Sequence, residues 1–225
     1  MCGIVGIFDP TGRHDSLPIL HRMMKSIRYR GPDAVGLHQD NSVGLGSVRL
    51  SIIDLENGQQ PMSNEDGSIW IVYNGEIFNY IELMAELLAR GHTFRTRSDT
   101  EVIIHLYEEA GIRCVEKLNG QCAFASWDAR KGELFLARDR VGIRPLFYTR
   151  KKGALVFASE IKAILEHPDV TPQLSPIGLS QLFTFWTTLS PRTAFEGIDE
   201  LPPGHSMRAS AEGIEIRPYW QLRFP

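Results

Sequence analysis

The first eight residues constrain the fold more than any other stretch. After Met1 the chain reads CGIVGIF and then stops at Asp9-Pro10 and Thr11-Gly12. Seven apolar or small residues closed by turn formers predict a buried strand that starts at residue 2. The run lacks a basic leading segment and is too short for a secretory leader. No stretch approaches the ~20 apolar residues of a membrane span. A core therefore has to be built directly around the chain's beginning, and Cys2 stands at its rim.

The rest of the pattern mixes helix and strand. Ser16 is placed to cap a helix whose apolar face is Leu20, Met23, Met24 and Ile27. Residues 43–55 predict one or two strands, and 69–74 another that ends at the turn-like Asn74-Gly75. A helix is expected over about 79–90, stopped by Gly91. Ser98 and Glu101 form the pattern of a capping box opening a helix to about Ala110. Strands follow near 122–128, 133–138, 145–149 and 154–158. Short helices are expected at about 160–166 and 177–185, and two strands around Glu212-Gly213. Strict βαβ alternation is absent, so the expected class is α+β with antiparallel sheets, in one domain over residues 1–225.

Composition excludes several functions. Of 225 residues 43% are hydrophobic and the net charge is -3, so a core is affordable and there is no basic face for nucleic acid or an anionic membrane. Three cysteines, Cys2, Cys114 and Cys122, do not make a disulfide framework and suit a reducing, cytoplasmic setting. No CxxC occurs and the histidines show no metal-ligand spacing, so neither cofactor nor metal is expected.

Cys2 is chemically suggestive. Methionine aminopeptidases remove Met1 before a small residue, which leaves a thiol and a free α-amine on one residue. An α-amine titrates near ~7.7–8.0 in model compounds, so it can serve as base to the thiol beside it. The plainer reading is a small core residue at a strand start.

Eight segments bear on that choice: MCGIVGIFD (1–9), RGPD (30–33), RLSIIDL (49–55), YNGEIFNY (73–80), SDTEVI (98–103), LNGQCAFASWD (118–128), ARDRVGIRPLFY (137–148) and FASEIKAIL (157–165). In order and spacing the chain resembles class II glutamine amidotransferases, and most closely the glutaminase domain of glutamine-hydrolysing asparagine synthetases. The resemblance implies the N-terminal-nucleophile hydrolase fold, an αββα sandwich with two antiparallel sheets. It implies that Cys2 attacks the side-chain amide of glutamine to give a thioester, and that Asn74 and Gly75 form the oxyanion hole. Arg49 would grip the substrate α-carboxylate and Asp99 its α-ammonium. Glu76 would be a further contact, with Ile52 and Ile53 binding through their backbone.

Each residue has an ordinary alternative: a turn at Asn74-Gly75, an ion pair at Arg49, a helix-start carboxylate at Asp99, core packing at Ile52 and Ile53. The RGPD turn is expected as loop architecture at the pocket mouth. Arg138-Asp139-Arg140 and the segment Gly142 to Pro145 are expected to be structural or interface-forming. Cys114 and Cys122 are expected to be inert, and Cys122 departs from the family, where phenylalanine is more usual.

The resemblance further implies a C-terminal synthetase domain as partner, which would use ATP and Mg²⁺ to activate aspartate and capture ammonia. Its SGGxDS loop is nowhere in this chain, and an apolar docking face for it is expected. A homodimer is left open. Two other readings stand beside this one: an amidotransferase with a different acceptor, and a non-catalytic module with an assembly role.

Overall fold

The computed structural model describes residues 1–12 and 16–223. Residues 13–15, and the last two residues of the expected domain, 224 and 225, lie outside the described residues.

The chain forms β1 (Gly3–Phe8), α1 (Leu17–Ser26), β2 (Ala34–Gln39), β3 (Val43–Arg49), β4 (Met62–Ser63), β5 (Ile69–Ile77), α2 (Tyr80–Ala89) and α3 (Asp99–Ala110). There follow α4 (Cys114–Lys117), β6 (Gly120–Asp128), β7 (Glu133–Arg138), β8 (Phe147–Lys151), β9 (Ala154–Ala158), α5 (Ile161–Ile164), α6 (Pro176–Phe185), β10 (Asp199–Glu200), β11 (His205–Ser210) and β12 (Gly213–Pro218). The strands make two six-stranded sheets, β10-β8-β9-β1-β3-β2 and β12-β11-β7-β6-β5-β4. Every pairing within them is antiparallel.

Three apolar clusters make this a four-layer sandwich. Ile4, Leu45, Val72, Ala125, Leu136 and Phe157 pack between the sheets. Val5, Ile7 and Val156 turn the other way, onto Leu20, Met23, Met24 and Ile27 of α1 and Ile164 of α5. Ile71, Tyr73 and Ile77 of the second sheet face Leu87 of α2 and Val102, Ile103 and Leu106 of α3. The alternation along β1 and β5 sends successive side chains to opposite faces, and both faces are covered by apolar layers. The αββα layering expected from the resemblance is therefore present.

Several local expectations are corrected. Ser16 sits at the start of α1 but its side chain makes no capping bond. At α3 the box is half formed: Ser98 Oγ accepts from the Thr100 N–H, whereas Glu101 turns away to accept from the N–H groups of Arg95 and Thr96. The strand expected through 55 ends at Arg49, and β5 runs on through Asn74-Gly75 to Ile77. Strand β2 and helix α4 were not anticipated.

Among the described residues no helix is long and apolar enough to cross a membrane.

Candidate active site

Strand β1 lies at the centre of its sheet and pairs with β3 in the register Gly3 to Val48. Cys2 and Arg49, one residue further on each strand, consequently meet at the same sheet end. Cys2 Sγ lies 3.5 Å from the Leu50 carbonyl oxygen, as its donor. The Cys2 carbonyl accepts from Arg30 Nε at 3.0 Å, and Arg30 Nη1 pairs with Glu160 at 2.7 Å. The RGPD turn thus fastens the backbone of Cys2.

A cleft of about 440 Å³ opens at this end. Cys2, Arg49, Ile52, Ile53, Asn74, Gly75, Glu76 and Asp99, all eight of the sequence-derived residues, line it. They come from both sheets, the loop after β3 and the start of α3.

Asn74 and Gly75 carry the most telling geometry. Val72 points into the inter-sheet core, so Asn74 and Glu76, of the same parity, face the same side. Asn74 is 1% exposed, and its Nδ2 is buried with no hydrogen-bond partner among the described residues. Gly75 stands opposite Cys122, and Cys122 gives both its N–H and its carbonyl to Asp139. The pair is therefore not hydrogen-bonded, and the Gly75 N–H faces away from β6. The N–H groups of Tyr73 and Ile77 face the same way, to Gln60 Oε1 at 2.8 Å and Asp99 Oδ2 at 3.0 Å. Between them the Gly75 N–H faces the cleft. A side chain at Gly75 would fall on the Gln121 carbonyl oxygen, so glycine is dictated by the neighbouring strand. A buried amide donor without an acceptor among the described residues, beside a backbone N–H turned to the same cleft, suits a developing oxyanion.

Arg49 is buried, and its guanidinium is already engaged. Nη2 donates to the carbonyls of Ile53 at 2.9 Å and Asp54 at 2.7 Å, and Nη1 to that of Leu55 at 3.2 Å. These bonds fold residues 50–55 into an irregular loop around the cation. Of the five N–H groups of a guanidinium, Nε–H and one on Nη1 stay uncommitted for a ligand. Ile53 contributes its carbonyl to Arg49, and Ile52 is 56% exposed. Core packing of these two side chains is thereby corrected; neither belongs to an apolar cluster.

Asp99 is a buried carboxylate with no ion-pair partner among the described residues. Its Oδ2 accepts from Tyr73 Oη at 2.7 Å as well as from the Ile77 N–H. Burial pushes its pKa above the ordinary carboxylate range, against the pull of those two donors. An acid held in this way is stabilised by a cation brought from outside, while the positive end of α3's dipole favours its ionised form.

A match over residues 1–220 to the glutamine amidotransferase domain family decides the assignment. The chain belongs to that family. This amidotransferase domain is 41% identical over 226 residues to asparagine synthetase [glutamine-hydrolyzing] 3 of Bacillus subtilis, covering 99% of this chain and 37% of that protein. It is 44% identical over 233 residues to asparagine synthetase [glutamine-hydrolyzing] 2 of the same organism, covering 99% and 31%. It is also 38% identical over 240 residues to amidase chry2 of Gibberella zeae, covering all of this chain and 35% of that one. The domain thus spans about a third of the length of these relatives. Among solved structures, the glutamine phosphoribosylpyrophosphate amidotransferase of B. subtilis shares the fold, with a TM-score of 0.68 at 22% identity over 98% of this chain and 50% of that one.

Sequence reasoning missed several cleft residues. Gly58 has no room for a side chain, because a Cβ would lie 2.5 Å from Arg49 Nη2. Gln60 is buried and joins three elements: Oε1 accepts from Ser47 Oγ and the Tyr73 N–H, and Nε2 donates to Thr100 Oγ1. The Gly-Gln-Gln-Pro run at 58–61 reads as a plain turn, so only the fold reveals these roles. Arg144, expected to be structural, also lines the cleft and touches the Met1 sulfur. Asp139 organises that loop, accepting from the N–H groups of Val141, Ile143 and Arg144. Cys114 and Cys122 are fully enclosed, and burial pushes the Cys114 thiol up to about 12; the amidotransferase domain leaves neither available as a nucleophile.

Proposed function

We propose that this domain hydrolyses glutamine to glutamate and ammonia through a thioester on Cys2, and that Cys2 acts as the first residue after loss of Met1. The observation that carries the reading is Asn74 Nδ2, a buried donor without a hydrogen-bond partner among the described residues, beside the Gly75 backbone in the cleft that Cys2 lines. Glutamine enters with its α-carboxylate at Arg49 and its α-ammonium at Asp99. Cys2 Sγ attacks the side-chain amide carbon while the Cys2 α-amine takes the thiol proton. The oxyanion settles on Asn74 and Gly75. The carbon–nitrogen bond then breaks, the nitrogen takes the proton from the α-ammonium, and ammonia leaves the thioester. Water attacks the thioester carbon and gives a proton to the α-amine. The carbon–sulfur bond breaks, sulfur recovers that proton, and glutamate departs.

Nucleophile, base and oxyanion donors all come from the chain, so the step is proposed to run without metal or nucleotide, and chelators should leave its rate unchanged. Glutamate release by protein whose mass lacks Met1, abolished in Cys2→Ala, is the expected result. Processed protein that releases none, even when joined to a complete synthetase, would transfer the domain to an assembly role.

The ammonia is proposed to serve aspartate amidation by a C-terminal synthetase domain with ATP and Mg²⁺, as the names of the B. subtilis relatives suggest. The similarity to amidase chry2 favours one second reading, an acceptor other than aspartate. Isotope from amide-labelled glutamine appearing in asparagine, in cells carrying the full-length protein, separates the two. Three cysteines without a disulfide support a cytoplasmic setting.

A further inference from the structure

On the outer side of α3, away from the cleft, two histidines thirteen positions apart come together. His92 follows α2 and His105 lies on α3, with ring centroids 4.7 Å apart. Glu65, after β4, completes the group: one donor atom from each of the three lies within 4.8 Å of the others. His105 Nδ1 is 4.0 Å from Glu65 Oε1. Donors bound at ~2.0–2.2 Å to one tetrahedral ion stand roughly 3.4 Å apart, so closure needs shifts of about 1 Å. Glu65 is exposed and can supply them.

The surroundings resemble those of a ligand set. His105 is fully buried, yet its Nε2 has no hydrogen-bond partner among the described residues. Glu101 Oε1 lies 3.8 Å from that nitrogen. A metal-bound imidazole is ordinarily steadied by a carboxylate on its other nitrogen, which is where Glu101 stands. Glu108 Oε2 is 2.8 Å from His105 Nδ1 and 3.8 Å from His92 Nδ1, and Glu109 Oε1 is 3.1 Å from His92 Nε2. Arg90 compensates Glu109, and the Arg95 guanidinium is turned to the carbonyls of Ser63 and Asn64. Four carboxylates around two imidazoles leave an excess of negative charge that a divalent ion would neutralise.

We propose that His92, His105 and Glu65 form a binding site for a divalent transition-metal ion of the Zn²⁺ class, with Glu101 as the carboxylate behind His105. Two imidazoles and a carboxylate are a donor set suited to such an ion. The ion would pin the turn after β4 and the segment after α2 to α3, the helix that begins at Asp99, and would take no part in the cleft chemistry. In its absence a proton occupies His105 Nδ1 against Glu108, so binding releases protons and weakens as pH falls.

The test uses the Cys2→Ala chain, which removes the accessible thiol as a competing ligand. Co²⁺ is titrated while its visible d–d bands are followed, and Zn²⁺ binding is measured by calorimetry. One ion per chain is expected. His92→Asn, at a half-buried position, should weaken it by more than the roughly 10–100-fold typical of losing an outer-shell partner. The exposed Glu65→Gln should weaken it as well, which keeps the test open if His92→Asn folds poorly. Absence of stoichiometric binding by the Cys2→Ala chain, or equal affinity in both variants, overturns the proposal.

Discussion

In the proposed mechanism, replacing Asn74 with alanine removes one oxyanion donor, and the damage should fall on kcat and not on the fold. The Asn74 side-chain amide nitrogen donates to nothing in the resting protein. Truncation therefore breaks no hydrogen bond made by that group. It opens a cavity of one amide, roughly 30 Å³, costing ~0.7 kcal/mol at ~24 cal/mol per Å³. It also relieves an unpaired buried donor, worth about 1–3 kcal/mol in the opposite direction. The relief exceeds the cost by roughly 0.3–2.3 kcal/mol, so Tm should hold or rise, by at most about 9 °C for a domain of this size, and should not fall.

Catalysis is affected differently because the bond to Nδ2 forms only as charge develops on the amide oxygen. Loss of one such donor costs ~2.7–4 kcal/mol of barrier, a fall of ~10²–10³ in kcat, with KM for glutamine little changed. The assay is glutamate release by protein verified by mass to lack Met1, beside a thermal melt of the same sample. A near-normal kcat, or a large drop in Tm with a raised KM, would refute the argument by making Asn74 a structural residue.

Arg49→Lys should raise KM at least ~10-fold, since an ammonium cannot supply the guanidinium's fixed fan of donors, and should also lower Tm because the carbonyls of Ile53, Asp54 and Leu55 share that fan. Gly58→Ala, which puts a Cβ 2.5 Å from Arg49 Nη2, should likewise raise KM while leaving kcat at saturating glutamine near normal. In the proposed binding mode the α-ammonium of glutamine needs Asp99 ionised, and the ionised fraction falls as pH drops through its pKa. Burial has raised that pKa, so KM should begin to climb at higher pH than an exposed aspartate would give. In Asp99→Asn the KM is high throughout and that pH dependence is lost.

Individual elements were legible where apolar periodicity carries them: the strand from residue 2, the helix on Leu20 to Ile27, and the helix opened by Ser98 all form; the αββα layering came from the family resemblance, since the pattern of elements fixes only an α+β class. What failed were places where a side chain outbids local preference. Asn74-Gly75 has the composition of a hairpin turn, yet β5 passes straight through. The N–H groups of Tyr73 and Ile77 there find Gln60 and Asp99 in place of a neighbouring strand. Glu101 has the position of a capping partner but is claimed by the N–H groups of Arg95 and Thr96. The run at 50–55 is apolar enough for a strand and is bent into a loop by Arg49. Strand β2, with its mixed, partly exposed pattern at a sheet edge, carries too weak a period to be seen.

Eight of the residues that line the cleft were named from the sequence through the family resemblance; periodicity and spacing alone do not assemble them, because they have no common element. Cys2 and Arg49 meet through the β1–β3 register, Asn74 and Gly75 arrive on the opposing sheet, and Asp99 arrives on a helix outside that sheet. Tyr73 and Ile77 bind that helix start to β5 through the same Asp99 oxygen, so the proposed ammonium site and the proposed oxyanion donors depend on one strand. A shift of β5 would therefore move both at once. This coupling explains why the strand is held by Gln60 on one side and closed to any side chain at Gly75 on the other. Residue types could suggest each role singly; the single strand joining them is a property of the fold.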